Sequence, residues 1–343
     1  MRNFITIGFR RGMGIYMTLK RIGLALLIIF IVSINYLASG LEKKELLELD
    51  YNGGTTYFAK YSLKGLDILT ARQNRSILAN ITDITAKKLE LTGILKSKDV
   101  EYAIVAFQDS IKLYAPSGEL KAQYKPGDSE GEIISCCISD IDGDSYEDLL
   151  VIEGEGKVFY GNRLLILSYD NGLKRLYERE FQELNPWKVQ TCDVDGDNRR
   201  EISLGVYKEA AFHPVMAKRP FLYHWNGEDI VPMWRGSRLS RPFDDYIFSD
   251  LDSDGKDEIV AIERLQDGKA LINAYKWAGF GFESIAESTP YEDILTLNTQ
   301  YDGRESLLVQ VKEGGQQFWI ELEKINERLI EKTKFNKIIH IKK

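Results

Sequence analysis

Three acidic stretches of one design recur along this chain and limit what it can fold into: Asp140-Ile-Asp-Gly-Asp-Ser-Tyr-Glu-Asp148, Asp193-Val-Asp-Gly-Asp-Asn-Arg-Arg-Glu201 and Asp250-Leu-Asp-Ser-Asp-Gly-Lys-Asp-Glu258. Each carries carboxylates at positions 1, 3, 5 and 9. Odd-numbered side chains of a tight turn converge, and four carboxylates at one point repel one another unless a hard dication lies among them. The pattern therefore implies calcium, which takes many oxygen ligands in flexible geometry.

The first aspartates are spaced by 53 and 57 residues. Short apolar runs precede the loops (133–138, 189–192, 246–249) and follow them (149–152, 202–206, 259–262), rich in β-branched and aromatic residues as strands are. A third strand in each unit ends on an aromatic residue and a tight turn, at Tyr169-Asp-Asn171-Gly172, Trp225-Asn226-Gly227 and Trp277-Ala278-Gly279. A fourth strand follows over 173–183, 230–234 and 282–285. Four antiparallel strands repeating at this period predict an all-β protein built of β-propeller blades.

Weaker copies flank these three. Upstream, 101–106, 111–115 and 120–124 read as strands; downstream, 305–310 and 318–323 do, and both units keep only the acid at position 9, so no metal is expected in them. Leu46–Ala79 reads as about three further strands, and Lys337–Ile341 as a last one. An open sheet edge must be satisfied, so six blades are expected, one stitched from both chain ends, with five or seven as alternatives.

The loop spacing also evokes the EF-hand, which needs a bidentate Glu at position 12 and flanking helices. Position 12 here is Val151, Leu204 and Ala261, and the flanks are strands, so that reading fails. The residues instead resemble the FG-GAP or VCBS repeat, the calcium-loop blade of integrin α-subunit propellers and of many exported bacterial proteins, strongly over 133–285 and weakly over about 85–323. The resemblance implies up to three calcium sites: Asp140, Asp142, Asp144 and Asp148; Asp193, Asp195, Asp197 and Glu201; Asp250, Asp252, Asp254 and Glu258. The seventh-position carbonyls of Tyr146, Arg199 and Lys256 would complete them. Position 6 in this family usually has positive φ; Gly255 suits it, Asn198 tolerates it and Ser145 does so less readily, so the first loop is expected to be the weakest. A structural role is expected for the ions, since no ligand set leaves an open reactive position.

The N-terminus is of another kind. Residues 1–21 hold five basic residues and no acid, and 22–37 is apolar apart from Ser33 and Asn35. This predicts a cytoplasmic basic segment, a transmembrane signal-anchor over 22–39 (or a cleaved signal peptide) and an extracytoplasmic domain over 41–343. Residues 1–40 carry +5 within a total of −7, leaving −12 on the remainder, which disfavours nucleic acid as a partner. Three cysteines, Cys136, Cys137 and Cys192, do not make a disulfide framework and read as buried thiols.

One segment stands out as a partner surface for a protein or cell-surface glycan: Arg219, Trp225, Trp234, Arg235, Arg238 and Arg241, after an unusually long link that contains Phe212, His213 and Pro214. The competing reading packs Trp225 and Trp234 between sheets and pairs the arginines with acids such as Asp244 and Asp245. No catalytic residue is assigned. The chain lacks His-Glu-x-x-His, Gly-x-Ser-x-Gly and a phosphate-cradling glycine loop, so a binding module is expected. A polysaccharide lyase or hydrolase using paired carboxylates is the alternative.

Overall fold

The computed structural model describes residues 46–52, 55–62, 65–70, 77–81, 89–98, 100–127, 131–156, 159–181, 183–236, 238–301 and 304–335. The signal-anchor expected at 22–39 and the strand expected at 337–341 lie outside them. Among the described residues no helix is long and apolar enough to cross a membrane.

All 24 described elements are strands, in six consecutive four-stranded antiparallel meanders. Two compact units divide them, one within Met1–Lys88 and Pro116–Gly118, the other over Leu89–Ala115 and Glu119–Lys343. The first unit holds one sheet, β1 (Leu46–Asn52), β2 (Thr55–Ser62), β3 (Gly65–Thr70) and β4 (Ile77–Ile81). Ile81 pairs with Leu66, so β4 supplies a fourth strand from the same stretch of chain, while the strand expected from the C-terminus to complete this sheet lies outside the described residues.

The second unit holds the other five meanders: β5 (Leu89–Ser97) to β8 (Leu120–Tyr124) through β6 (Val100–Phe107) and β7 (Ser110–Tyr114); then β9 (Gly131–Ser139), β10 (Asp148–Glu155), β11 (Arg163–Tyr169) and β12 (Leu173–Glu180). Next come β13 (Pro186–Cys192), β14 (Glu201–Ala210), β15 (His213–Trp225) and β16 (Ile230–Arg235), followed by β17 (Phe243–Ser249), β18 (Glu258–Arg264), β19 (Ala270–Trp277) and β20 (Phe282–Glu287). The last is β21 (Asp293–Tyr301), β22 (Glu305–Glu313), β23 (Gln316–Ile325) and β24 (Arg328–Phe335), joined to its predecessor by one parallel pair, Glu287 with Arg328.

Neighbouring sheets of this unit pack face to face. Leu95, Ile104 and Leu113 meet Leu149, Val151 and Leu165 between the first two sheets. Leu150, Ile152 and Ile166 meet Val189, Ile202 and Leu204 between the next pair. Tyr246, Ile259 and Tyr275 pack with Trp187 and Trp234, and Val260 and Ile272 with Leu307 and Ile320. A second strand clad on both faces must be apolar at every position, which is why Leu149–Ile152 has no alternation and no exposure. Each such side chain contributes about 1.5–3 kcal/mol. The fourth strands face mostly solvent, as in β12, where Tyr177 alone is buried.

Candidate metal centres

Strand register builds the three acidic loops identically. Position 9 pairs with the residue before position 1 in each: Asp148 with Ser139, Glu201 with Cys192, and Glu258 with Ser249. Between these pairs the chain needs two left-handed residues. Positions 4 and 6 supply them, as Gly143 and Ser145 (φ 77° and 70°), Gly196 and Asn198 (79° and 63°), and Ser253 and Gly255 (57° and 83°). A serine thus occupies a left-handed position in the first loop, as the sequence implied, and in the third loop as well.

In all three loops the position-1 aspartate folds the turn, its two oxygens accepting from backbone N–H groups. Asp140 accepts from Gly143 (2.8 Å) and Ser145 (2.9 Å), Asp193 from Gly196 (2.7 Å) and Asn198 (2.9 Å), and Asp250 from Asp254 and Gly255 (both 3.0 Å). Tyr146, Arg199 and Lys256 donate their N–H groups to the position-5 aspartate at 2.8, 2.8 and 3.1 Å. Carboxylate oxygens come within 4.8 Å of one another for Asp140, Asp142 and Asp148, for Asp193, Asp195 and Asp197, and for Asp250, Asp252 and Asp254.

The ninth-position acids are the buried members. Asp148, Glu201 and Glu258 are 3%, 1% and 0% exposed. Burial first, then the neighbouring aspartates, pushes each carboxyl up to about 7. One oxygen of each faces the N–H at position 2, at 3.4, 2.9 and 2.9 Å. The other oxygens of Glu201 and Glu258 are both buried without a hydrogen-bond partner, with Lys276 Nζ 3.2 Å from that of Glu258. A buried carboxylate oxygen left unpaired beside three aspartates fits a hard cation, so the second loop's residues suit calcium. In that site Asp193, Asp195, Asp197 and Glu201 would hold the ion, which would supply charge neutralisation and rigidity.

The third strand of each sheet adds a contact that the loop sequences do not contain. The pairs Leu149 with Leu167, Ile202 with Tyr223 and Ile259 with Tyr275 set Ser168, His224 and Lys276 one step further along, opposite the ninth-position acids. His224 Nδ1 stands 3.6 Å from Glu201 Oε1. Lys276 reaches much further in: its Nζ lies 3.0 and 2.9 Å from the Asp252 oxygens, 2.7 Å from Asp254 Oδ2 and 3.2 Å from Glu258 Oε1. Burial works against this ammonium, but the hydrogen bonds it donates to Asp254 and Asp252, with the Glu258 carboxylate beside it, outweigh that and hold it charged.

Position 8 carries staples between loops that sequence reasoning missed. Glu147 Oε2 accepts from Lys96 N at 2.6 Å, and Glu147 N donates to Lys96 O at 2.9 Å. Asp257 does the same with Asp193, and in the last sheet Glu305, the acid kept there at position 9, accepts with Oε2 from Asp250 N at 2.9 Å. The available signal was the second acid just ahead of position 9 in the first and third loops, where the second has Arg200.

The expected partner segment is divided by the structure. Arg219 is wholly buried, its guanidinium bonded to the carbonyls of Lys208 (2.9 Å), His213 (3.1 Å) and Val215 (2.8 Å). Trp225 meets Tyr177 edge-on at 5.3 Å, and Trp234 meets Phe282 at 5.0 Å, both in the cores between sheets. Arg241 binds Glu263 and Glu287 at 2.8 and 2.7 Å. Asp244 and Asp245 pair with Arg264 and Lys188 rather than with the arginines of this segment. Arg235 and Arg238 are exposed.

In a meander the loops after the first and third strands share one end, and those after the second share the other. The acidic loops therefore lie at one end of their sheets. At the opposite end the β14–β15 hairpin, locked by Arg219, holds out Phe212 (93% exposed), with Val215 and Met216 also exposed, and Phe159 stands out from the equivalent β10–β11 connection.

Comparison with known proteins bears on the fold alone. No family model and no curated protein matches the chain. Among 181 matching solved chains is a Bacteroides fragilis protein described as a candidate 6-phosphogluconolactonase, 11% identical, covering 84% of this chain and 83% of its own, with a TM-score of 0.52. The fold is all-β and propeller-like.

Proposed function

We propose that the chain is a calcium-braced β-propeller of six blades, of the FG-GAP or VCBS type, held outside the membrane by its N-terminal segment and acting as a binding module. The observation that carries the binding role is Phe212, an aromatic ring left almost fully exposed on a hairpin whose tip is fixed by the buried Arg219 guanidinium. A rigid exposed aromatic loses little freedom on binding, and with Arg238 at the same end of the sheet it has the composition of an interface anchor. A protein partner is favoured over a glycan because Val215 and Met216 extend the patch with aliphatic surface. Calcium would stiffen the opposite end; with Kd about 0.1 mM and calcium about 1 mM outside, each site adds about 1.4 kcal/mol.

A photo-crosslinking residue at position 212 of the full chain in intact cells tests this. A discrete envelope-protein adduct that disappears with Arg238→Ala is expected; adducts with polysaccharide would transfer the role to glycan binding, and an unchanged pattern would remove it. Thermal melts with calcium and with chelator test the metal, and identical midpoints would end that claim.

A second reading, an enzyme acting on a sugar polymer, is favoured by one observation. A cavity of about 540 Å³ lined by Ser240, Arg241, Pro242, Arg264, Leu265, Gln266 and Asp267 opens at the same end as Phe212, beside Glu263 and Glu287. The Bacteroides neighbour is described as a candidate 6-phosphogluconolactonase. Release of reducing ends or unsaturated sugars from cell-wall polymers would support this reading, and a clean panel would exclude it.

A further inference from the structure

The three acidic loops share register, backbone conformation and carboxylates, and differ in what the third strand brings to them. The first loop meets the Ser168 hydroxyl, the second the His224 imidazole and the third the Lys276 ammonium. Lys276 Nζ contacts oxygens of Asp252, Asp254 and Glu258 at 2.7–3.2 Å, from three of the four acidic positions. Lys324, from the neighbouring sheet, adds a second ammonium 3.5 Å from Asp252 Oδ2. Two ammonium groups of the protein thus already stand among the carboxylates that would bind a dication.

We infer that Lys276 is an internal counter-cation that fills the third acidic loop in place of a divalent ion, so that the chain takes calcium at its first two loops and not at its third. The inference rests on the calcium reading of those loops. A dication entering the third loop would have to displace the ammonium from four oxygens, and the tether of β19 would keep that positive charge nearby. Lysine costs no ligand concentration: the third loop is braced at any calcium level, whereas the first two respond to it.

The test is calcium stoichiometry by equilibrium dialysis against radioactive calcium, using the full-length chain in detergent. Two ions are expected for the native chain and three for Lys276→Met, whose melting point should fall in chelator and recover with calcium. The converse variant, Ser168→Lys, places an ammonium opposite Asp148 and should drop the native count to one, which keeps the proposal testable if Lys276→Met does not fold. Three ions in the native chain, or an unchanged two in Lys276→Met, overturn the lysine inference and leave the calcium reading standing. No calcium in any variant overturns the calcium reading, and this inference with it.

Discussion

Asp257 and Asp193 hold each other by two hydrogen bonds across neighbouring sheets: the Asp193 N–H donates to Asp257 Oδ2 at 2.7 Å, and the Asp257 N–H donates to the Asp193 carbonyl at 2.7 Å. Position 8 of the third loop thereby clamps position 1 of the second. Arg200 closes the arrangement by binding the same Asp257 oxygen at 2.9 Å. A metal in the second loop would consequently stiffen the boundary between two sheets as well as its own turn.

Asp257→Ala removes a charge-assisted acceptor and leaves the Asp193 N–H unpaired. Urea unfolding should show a loss of about 1.5–3 kcal/mol. Asp257→Asn retains an acceptor and should lose less. A change below about 0.5 kcal/mol in the alanine variant would mean that the staple is incidental.

Stability of the calcium-free protein should depend on pH in an unusual sense. Asp148 is raised to about 7 from an ordinary value of 3.8, by burial first and by Asp142 next. The folded chain therefore holds this proton where the unfolded chain has released it, and folding stability falls as pH rises from about 4 to about 7. In chelator, Asp148→Asn should be more stable than the native chain at pH 8, by up to about 4 kcal/mol, and equal to it near pH 4. Its calcium response from the first loop should also vanish. A native chain in chelator that matches Asp148→Asn at both pH values would contradict the raised carboxyl.

The repeat, and most strand positions, were legible because apolar runs and fixed carboxylates recur locally. What escaped depends on contacts between distant residues. β24 was missed because Arg328–Phe335 is mostly solvent-facing, with Leu329 buried at 4% exposure. Arg219 reads as surface in a sequence, since nothing local announces a guanidinium whose Nε and Nη2 bind carbonyls of its own hairpin. Lys276 lies 24 residues from Asp252, and only the strand register makes it a loop residue.

Arg241 separates structural from recognition roles within one segment. Its guanidinium is the cationic partner of Glu263, which is fully buried and also bound by Asn273 Nδ2 at 3.1 Å and by the Tyr275 hydroxyl. Arg241→Met should lose about 2–3 kcal/mol by denaturant unfolding, less than for a wholly buried pair because the arginine is partly exposed. Arg238→Ala should stay within about 0.5 kcal/mol of the native chain while abolishing partner adducts. If both variants unfold alike, Arg238 is also structural.

The three free thiols differ in burial, Cys192 being buried and Cys136 and Cys137 partly so, and strand geometry separates the adjacent pair. Cys136 and Cys137 are adjacent on β9, so their side chains point to opposite faces, Cys136 into the core shared with β5–β8 and Cys137 into the core shared with β13–β16. That divergence also prevents a disulfide between them. Burial pushes the Cys137 thiol up to about 12 and raises the fully buried Cys192 thiol as well, so neither forms thiolate at neutral pH. An aromatic disulfide reagent at pH 8 should therefore leave Cys137 and Cys192 of the native protein unmodified and label all three cysteines in urea, with peptide mass spectrometry locating the adducts. Rapid native labelling of Cys192 would show that the boundary between the sheets of β13–β16 and β17–β20 opens to solvent.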